Sequence, residues 1–281
     1  SPEAMGYTLR GMDMVVAGDV PIASGLSSSA AIEVASAYAF QCLSNLDLDG
    51  VRRALLCQRA ENEFVGMRCG IMDQYIISLG KRDHALMIDC RSLDYQLVPI
   101  PSGCSVVVCD TKKRRGLVDS EYNTRRQECE TGARLLGVRA LRDVSPAMFE
   151  ARQQELGEVT RKRCRHVVME DQRVLDAVRA LRGGDVSLFG QLMNASHASL
   201  RDDYQVSCRE LDIMVEVAAQ QEGVLGARMT GAGFGGCTVN LVRTDAAETF
   251  RRRVAAGYTA ATGLAPDIYV CLAEEGVRAL E

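Results

Sequence analysis

The chain has 281 residues, 47% of them hydrophobic, enough to bury a substantial core in one large domain or two small ones. A formal net charge of −4, with short basic runs at Lys112 to Arg115 and Arg161 to Arg165, argues against general affinity for nucleic acid or an anionic membrane surface. No apolar run approaches a membrane span. Eleven cysteines without a C-x-x-C pair read as reduced thiols of a cytoplasmic protein rather than a disulfide or metal framework.

In chain order, Met12 to Val20 reads as a strand, followed by Gly25-Leu26-Ser27-Ser28-Ser29-Ala30-Ala31 and a helix from about Ser28 to Leu43. A second helix is predicted over Gly50 to Phe64. Short strands are expected at Ala85 to Cys90, Tyr95 to Ile100 and Ser105 to Cys109, and a domain boundary where Pro99, Pro101 and Gly103 interrupt the pattern. Helical spacing then marks Asp119 to Leu136, Arg161 to Leu181, Val186 to Ser199 and Glu210 to Gln220. The last third alternates: strand Leu225 to Met229, a glycine loop, strand Cys237 to Val242, helix Ala246 to Ala256 and strand Ile268 to Leu272. Segregated helices with antiparallel-looking strands predict an α+β fold.

The serine loop has the chemistry of a phosphate cradle. A glycine permits the turn, hydroxyls follow, and a helix begins, so free backbone N–H groups and the positive helix end face an anion. The competing reading is that Ser27 simply caps the helix. A Walker-type loop needs a lysine beside its last glycine, and the lysines here are Lys81, Lys112, Lys113 and Lys162, which excludes it. Asp73, set in Cys-Gly-Ile-Met-Asp-Gln, is either a helix cap or a sheltered carboxylate suited to accept a proton. By themselves Glu61 reads as an ordinary exposed helix glutamate and Tyr122 as a half-buried helix tyrosine. The Gly231-Ala232-Gly233-Phe234-Gly235-Gly236 loop lies between two strands, either as a plain hairpin or as backbone able to approach a ligand or a neighbouring loop closely. His84, His166 and His197 are too scattered for a metal set and read as structural.

The serine loop, Cys69 to Gln74 and Met229 to Cys237 together resemble the second and third signature motifs of the galactokinases, within the galactose, homoserine, mevalonate and phosphomevalonate kinases. The likeness runs from about Met14 to Val270. It takes in Ser120-Glu121-Tyr122-Asn123, His166-Val167-Val168 and Ser196 to Tyr204. The resemblance implies a two-lobed kinase of galactose and ATP: residues 1–101 forming the first lobe and 102–281 the second, with the active site between them. It implies that Ala23, Ser24, Gly25, Leu26, Ser27, Ser28 and Ser29 wrap the phosphates and that Ser29 and Glu61 hold Mg2+. It makes Asp73 the base at the sugar's C1 hydroxyl, with Gly70 and Tyr122 against the sugar and Gly231, Gly233, Gly235 and Gly236 as a supporting loop. A monomer is expected.

The family's first motif, an Arg followed by Gly-Glu-His and an Asp that grips the sugar, is absent from this chain, so the first lobe is expected to be incomplete and the chain alone inactive and poorly soluble. Three other readings stand beside the kinase: a non-catalytic galactose and ATP sensor, an inert fragment, and a kinase of N-acetylgalactosamine. Ser29-Ala30, a pair that sensors of this resemblance lack, favours the kinase over the sensor.

Overall fold

The computed structural model describes residues 6–21, 26–66, 69–114 and 118–280, without the side chains of 118–120 and 122. Packing divides the chain into two compact units, Ser1–Ile100 with Leu272–Glu281, and Pro101–Cys271.

In the first unit, helices α1 (Ser28–Ser44), α2 (Gly50–Ala60) and α3 (Met72–Leu79) precede a hairpin of β1 (His84–Ile88) and β2 (Tyr95–Pro99). Asp49 starts α2 by accepting the Arg52 N–H, the usual cap of a helix whose first turn lacks partners. The hairpin is antiparallel with Leu86 opposite Leu97, and Asp89 Oδ1 accepts from the N–H groups of Arg91 and Ser92 in its turn. Ala54, Ile71 and Tyr75 form the core of this unit, with Val51, Leu79, Leu86, Ile88 and Leu93 packed around them. Arg53 is buried, donates to Gln41 Oε1 at 2.8 Å and lies over the Tyr38 ring, which locks α1 to α2.

Three expectations change here. Met12 to Val20 has no regular structure, and Val15 is 98% exposed. A strand exists only against a partner, and among the described residues β1 and β2 pair with each other and with no third strand. The segment from Leu272 onward, expected in the second lobe, packs with the first unit, where Asp83 N–H donates to Ala273 O and Gly276 N–H to Gly80 O. Cys90 also leaves its expected strand and lies exposed in the turn after β1.

The second unit contains β3 (Cys104–Asp110), α4 (Val118–Leu135), α5 (Pro146–Arg152), α6 (Glu158–Arg182), α7 (Val186–Ser199), α8 (Arg209–Ala219), β4 (Val224–Met229), β5 (Cys237–Arg243), α9 (Ala247–Thr262) and β6 (Asp267–Cys271). The sheet runs β4-β5-β3-β6, every pair antiparallel, so the fold is α+β. Val107, Val242, Met214, Phe250, Val254 and Tyr258 join α8 and α9 to the sheet in one buried cluster. A second cluster, centred on Phe149, Leu136, Cys164 and Val168, binds α4, α5 and α6. Helix α5 was not predicted, although Ser145-Pro146 carries its signal: Ser145 Oγ accepts the Met148 N–H and Pro146 occupies the first helical position.

Helix α7 lies along the outer edge of β4. Gly190 and Gly226 meet backbone to backbone, Asn194 Oδ1 accepts the Ala227 N–H at 2.8 Å, and His197 Nδ1 accepts the Met229 N–H at 3.3 Å. The sheet edge is thus covered, and its Ala227 and Met229 donors are satisfied.

Candidate active site

Among the described site residues of the first unit, Leu26 to Ser29 and Asp73 lie at the N-terminal ends of α1 and α3, and Glu61 at the end of α2. Ser27 holds a left-handed backbone, φ 59°, which is uncommon for a residue with a side chain. Its carbonyl accepts the Ala31 N–H that opens α1, but its side chain makes no cap. Ser27 Oγ instead donates to Asp73 Oδ2 at 2.6 Å, so the simple capping reading of Ser27 fails. The first turn of α1 carries no acidic residue and no side chain of its capping position bonds its N–H groups, which with the positive helix end suit an anion. Ser28 is half-buried and Ser29 exposed. Ala23, Ser24 and Gly25 lie outside the described residues.

Asp73 sits in the first turn of α3, where the residue at the capping position is Ile71. Its carboxylate is half-buried and receives the Ser27 hydroxyl, a charge-assisted bond of the stronger kind. Gly70, three residues before it, is exposed, and a Cβ there would meet open space.

Glu61 opens a single π-helical turn, Glu61–Val65, at the end of α2, a local widening frequent at functional positions. It is 4% exposed rather than the solvent-facing glutamate its helix position suggests, and its Oε2 has no hydrogen-bond partner among the described residues. Its carboxyl meets that of Glu33 from α1. Burial pushes the Glu33 carboxyl up to about 7, and the Glu61 contact adds to the rise while the Gln74 amide opposes it. Gln74, 2% exposed, donates from Nε2 to Glu33 Oε2 at 3.2 Å and leaves its Oε1 without a partner among the described residues.

Glu33 and Gln74 were missed from the sequence. A signal existed for Glu33, the one charged residue of α1, four positions after Ser29 and so on the same face. Gln74 had none, because only the packing of α3 shows which way it points.

In the second unit the glycine loop joins β4 to β5 and is held tightly by its own surroundings. Phe234 N–H donates to Val206 O, Gly236 N–H to Lys113 O, and Thr111 Oγ1 to Gly236 O. Tyr122 lies on α4, but its side chain is outside the described set. His166, expected to be structural, stacks on Tyr204 with ring centres 4.5 Å apart and meets Ser199 Oγ at 3.0 Å. Its burial holds the imidazole down at about 4.

Known proteins define the class first. The chain matches the family described as GHMP kinases N terminal domain over residues 2–81 and that described as GHMP kinases C terminal over residues 177–260, together more than half its length. This makes it an ATP-dependent small-molecule kinase, a phosphotransferase. Within that class it is 55% identical over 277 residues to the galactokinase of Roseiflexus sp. strain RS-1, covering 97% of this chain and 71% of that protein. It is 50% identical over 273 residues to the galactokinase of Actinobacillus succinogenes, covering 96% of this chain and 71% of that protein. The crystal structure of Lactococcus lactis galactokinase complexed with galactose superimposes with a TM-score of 0.87 at 39% identity, covering 92% of this chain and 68% of that one. The chain belongs to the galactokinases.

Proposed function

We propose that the protein transfers the γ-phosphate of ATP to the C1 hydroxyl of galactose, giving galactose 1-phosphate and ADP, with Asp73 as the residue that orients and deprotonates that hydroxyl. The observation that carries this is the pairing of Asp73 with Ser27 at the bare N-terminus of α1. Phosphoryl transfer asks little covalent chemistry of a protein and much positioning. The α1 end, with Leu26 to Ser29, receives the phosphates. The Ser27 hydroxyl fixes the Asp73 carboxylate next to them until an acceptor hydroxyl takes its place.

The oxygens present fit Mg2+. No three His, Cys, Asp or Glu residues converge among the described residues, and Mg2+ is commonly held by one or two carboxylates together with phosphates and water. Ser29 and Glu61 would hold it, the partnerless Glu61 Oε2 being the donor, and it would neutralise the phosphate charge that grows during transfer. Gly70 and Tyr122 are taken as sugar contacts and Gly231, Gly233, Gly235 and Gly236 as a supporting loop. The two units are proposed as the kinase's two lobes. Eleven free cysteines support a reducing, cytoplasmic setting, and we take the protein as a monomer.

Asp73→Asn is expected to lower galactose-dependent ADP release by about a thousandfold, within the range for losing a general base. Binding of MgATP, read by calorimetry, should stay at its wild-type strength. Near-normal turnover would remove Asp73 from this role, and loss of MgATP binding would relocate it to the nucleotide.

A further inference from the structure

The site holds more oxygen donors than Ser29 and Glu61 account for. Glu33 stands one helical turn beyond Ser29, so the two side chains leave α1 on the same face. Its carboxyl touches that of Glu61, and two carboxyls in contact repel when both are ionised unless a proton or a cation lies between them. Beside this pair are two buried oxygens without a donor among the described residues, Glu61 Oε2 and Gln74 Oε1. The Gln74 carboxamide is aimed at the pair by its own bond to Glu33, and Glu61 and Gln74 are 4% and 2% exposed. A buried oxygen left unsatisfied is costly, and a hard divalent cation is the species that suits carboxylate and carboxamide oxygens together.

Building on the reading of Glu61 as a cation ligand, we propose that Glu33 is a further ligand of the divalent-cation site, with Gln74 as the residue that orients it. The cation would then be gripped from α1 at both Ser29 and Glu33, tying the phosphate-binding helix to the turn that carries Glu61. Gln74 would connect this grip to α3, one residue from Asp73.

Mn2+, visible by electron paramagnetic resonance, serves as the probe, bound to the full chain in the presence of ATP, while calorimetry reads ATP binding without metal. Glu33→Gln is expected to weaken Mn2+ binding about tenfold or more, with metal-free ATP binding unchanged. Gln74→Leu should act in the same direction and less strongly, because both carboxylates remain. Glu61→Gln is the control for the reading beneath. If Glu61→Gln weakens Mn2+ binding while Glu33→Gln and Gln74→Leu leave it at the wild-type level, the inference is overturned and the reading of Glu61 stands. If Glu61→Gln has no effect, that reading falls instead. Should Glu33→Gln fail to fold by circular dichroism, Glu33→Asp keeps the charge and withdraws the carboxylate by one methylene. Mn2+ binding by Glu33→Asp at the wild-type level would equally overturn the proposal.

Discussion

At the residue scale, Ser27 does work that a capping serine does not. Its backbone sits in the left-handed region and its hydroxyl serves Asp73 across 46 positions of sequence. Removing that hydroxyl strips a carboxylate of a charge-assisted donor worth about 1.5–3 kcal/mol. Ser27→Ala is therefore expected to reduce turnover by about ten- to a hundredfold. Ser27→Gly relieves the backbone yet should lose as much, and full activity in Ser27→Gly would show that only the loop's conformation matters. His166 supplies a pH test. Its folded-state pKa of about 4 lies below the ordinary 6.5, so between these values the unfolded chain binds the extra proton. The His166 contribution is complete above pH 6.5 and is lost as pH falls toward 4, about 3 kcal/mol in all. Glu170, Arg173, Asp203 and Arg228 surround the ring and offset one another in part. His166→Phe keeps the stack on Tyr204 and should flatten the melting-temperature profile between pH 7 and 5. A profile as steep as the wild type's would assign the dependence to carboxylates.

At the scale of elements, helix propensity and packing disagree at Gly190. Alanine in place of a helical glycine ordinarily gains about 1 kcal/mol. Here a Cβ would stand 2.0 Å from Leu225 O, where α7 crosses β4. Separation of the helix from the sheet edge would cost Asn194 and His197 their bonds to Ala227 and Met229. Gly190→Ala is expected to destabilise by about 2 kcal/mol or more in urea unfolding, and net stabilisation would show that α7 slides freely. Gly233 makes the same point for the loop: at φ 86° with Val206 O 2.1 Å from a Cβ, it admits no side chain without rearrangement.

At the scale of the whole molecule, burial sorts the eleven cysteines. Cys42 and Cys90 are exposed, whereas burial pushes the thiols of Cys57, Cys109 and Cys164 up to about 12. Since the thiolate is the reactive form, an aromatic disulfide reagent should label Cys42 and Cys90 first in the native protein and reach Cys57, Cys109 and Cys164 only on unfolding. Early labelling of Cys109 or Cys164 would mean that the clusters around the sheet and around Phe149 open without global unfolding.

Local pattern alone determined a great deal. Periodicity placed α1, α4, α6, α7 and α8 and all six strands from β1 to β6 to within a few residues, because each has a face whose apolar spacing matches its own geometry. The serine loop and Asp73 stood out as candidates because their residue types are unusual in the runs that carry them, whereas Glu61 was singled out only by the family resemblance. Pairing and burial were not legible. Met12 to Val20 has strand composition but no ladder, and a strand's stability resides in its partner. The return of the C-terminal segment to the first unit depends on hydrogen bonds between residues nearly two hundred positions apart. Whether Glu61 faced solvent, which atom Ser27 would serve, and that Glu33 and Gln74 would close around Glu61 were decided only by the packing of α1, the π turn and α3. Contacts across distant sequence leave no periodic trace in any one segment.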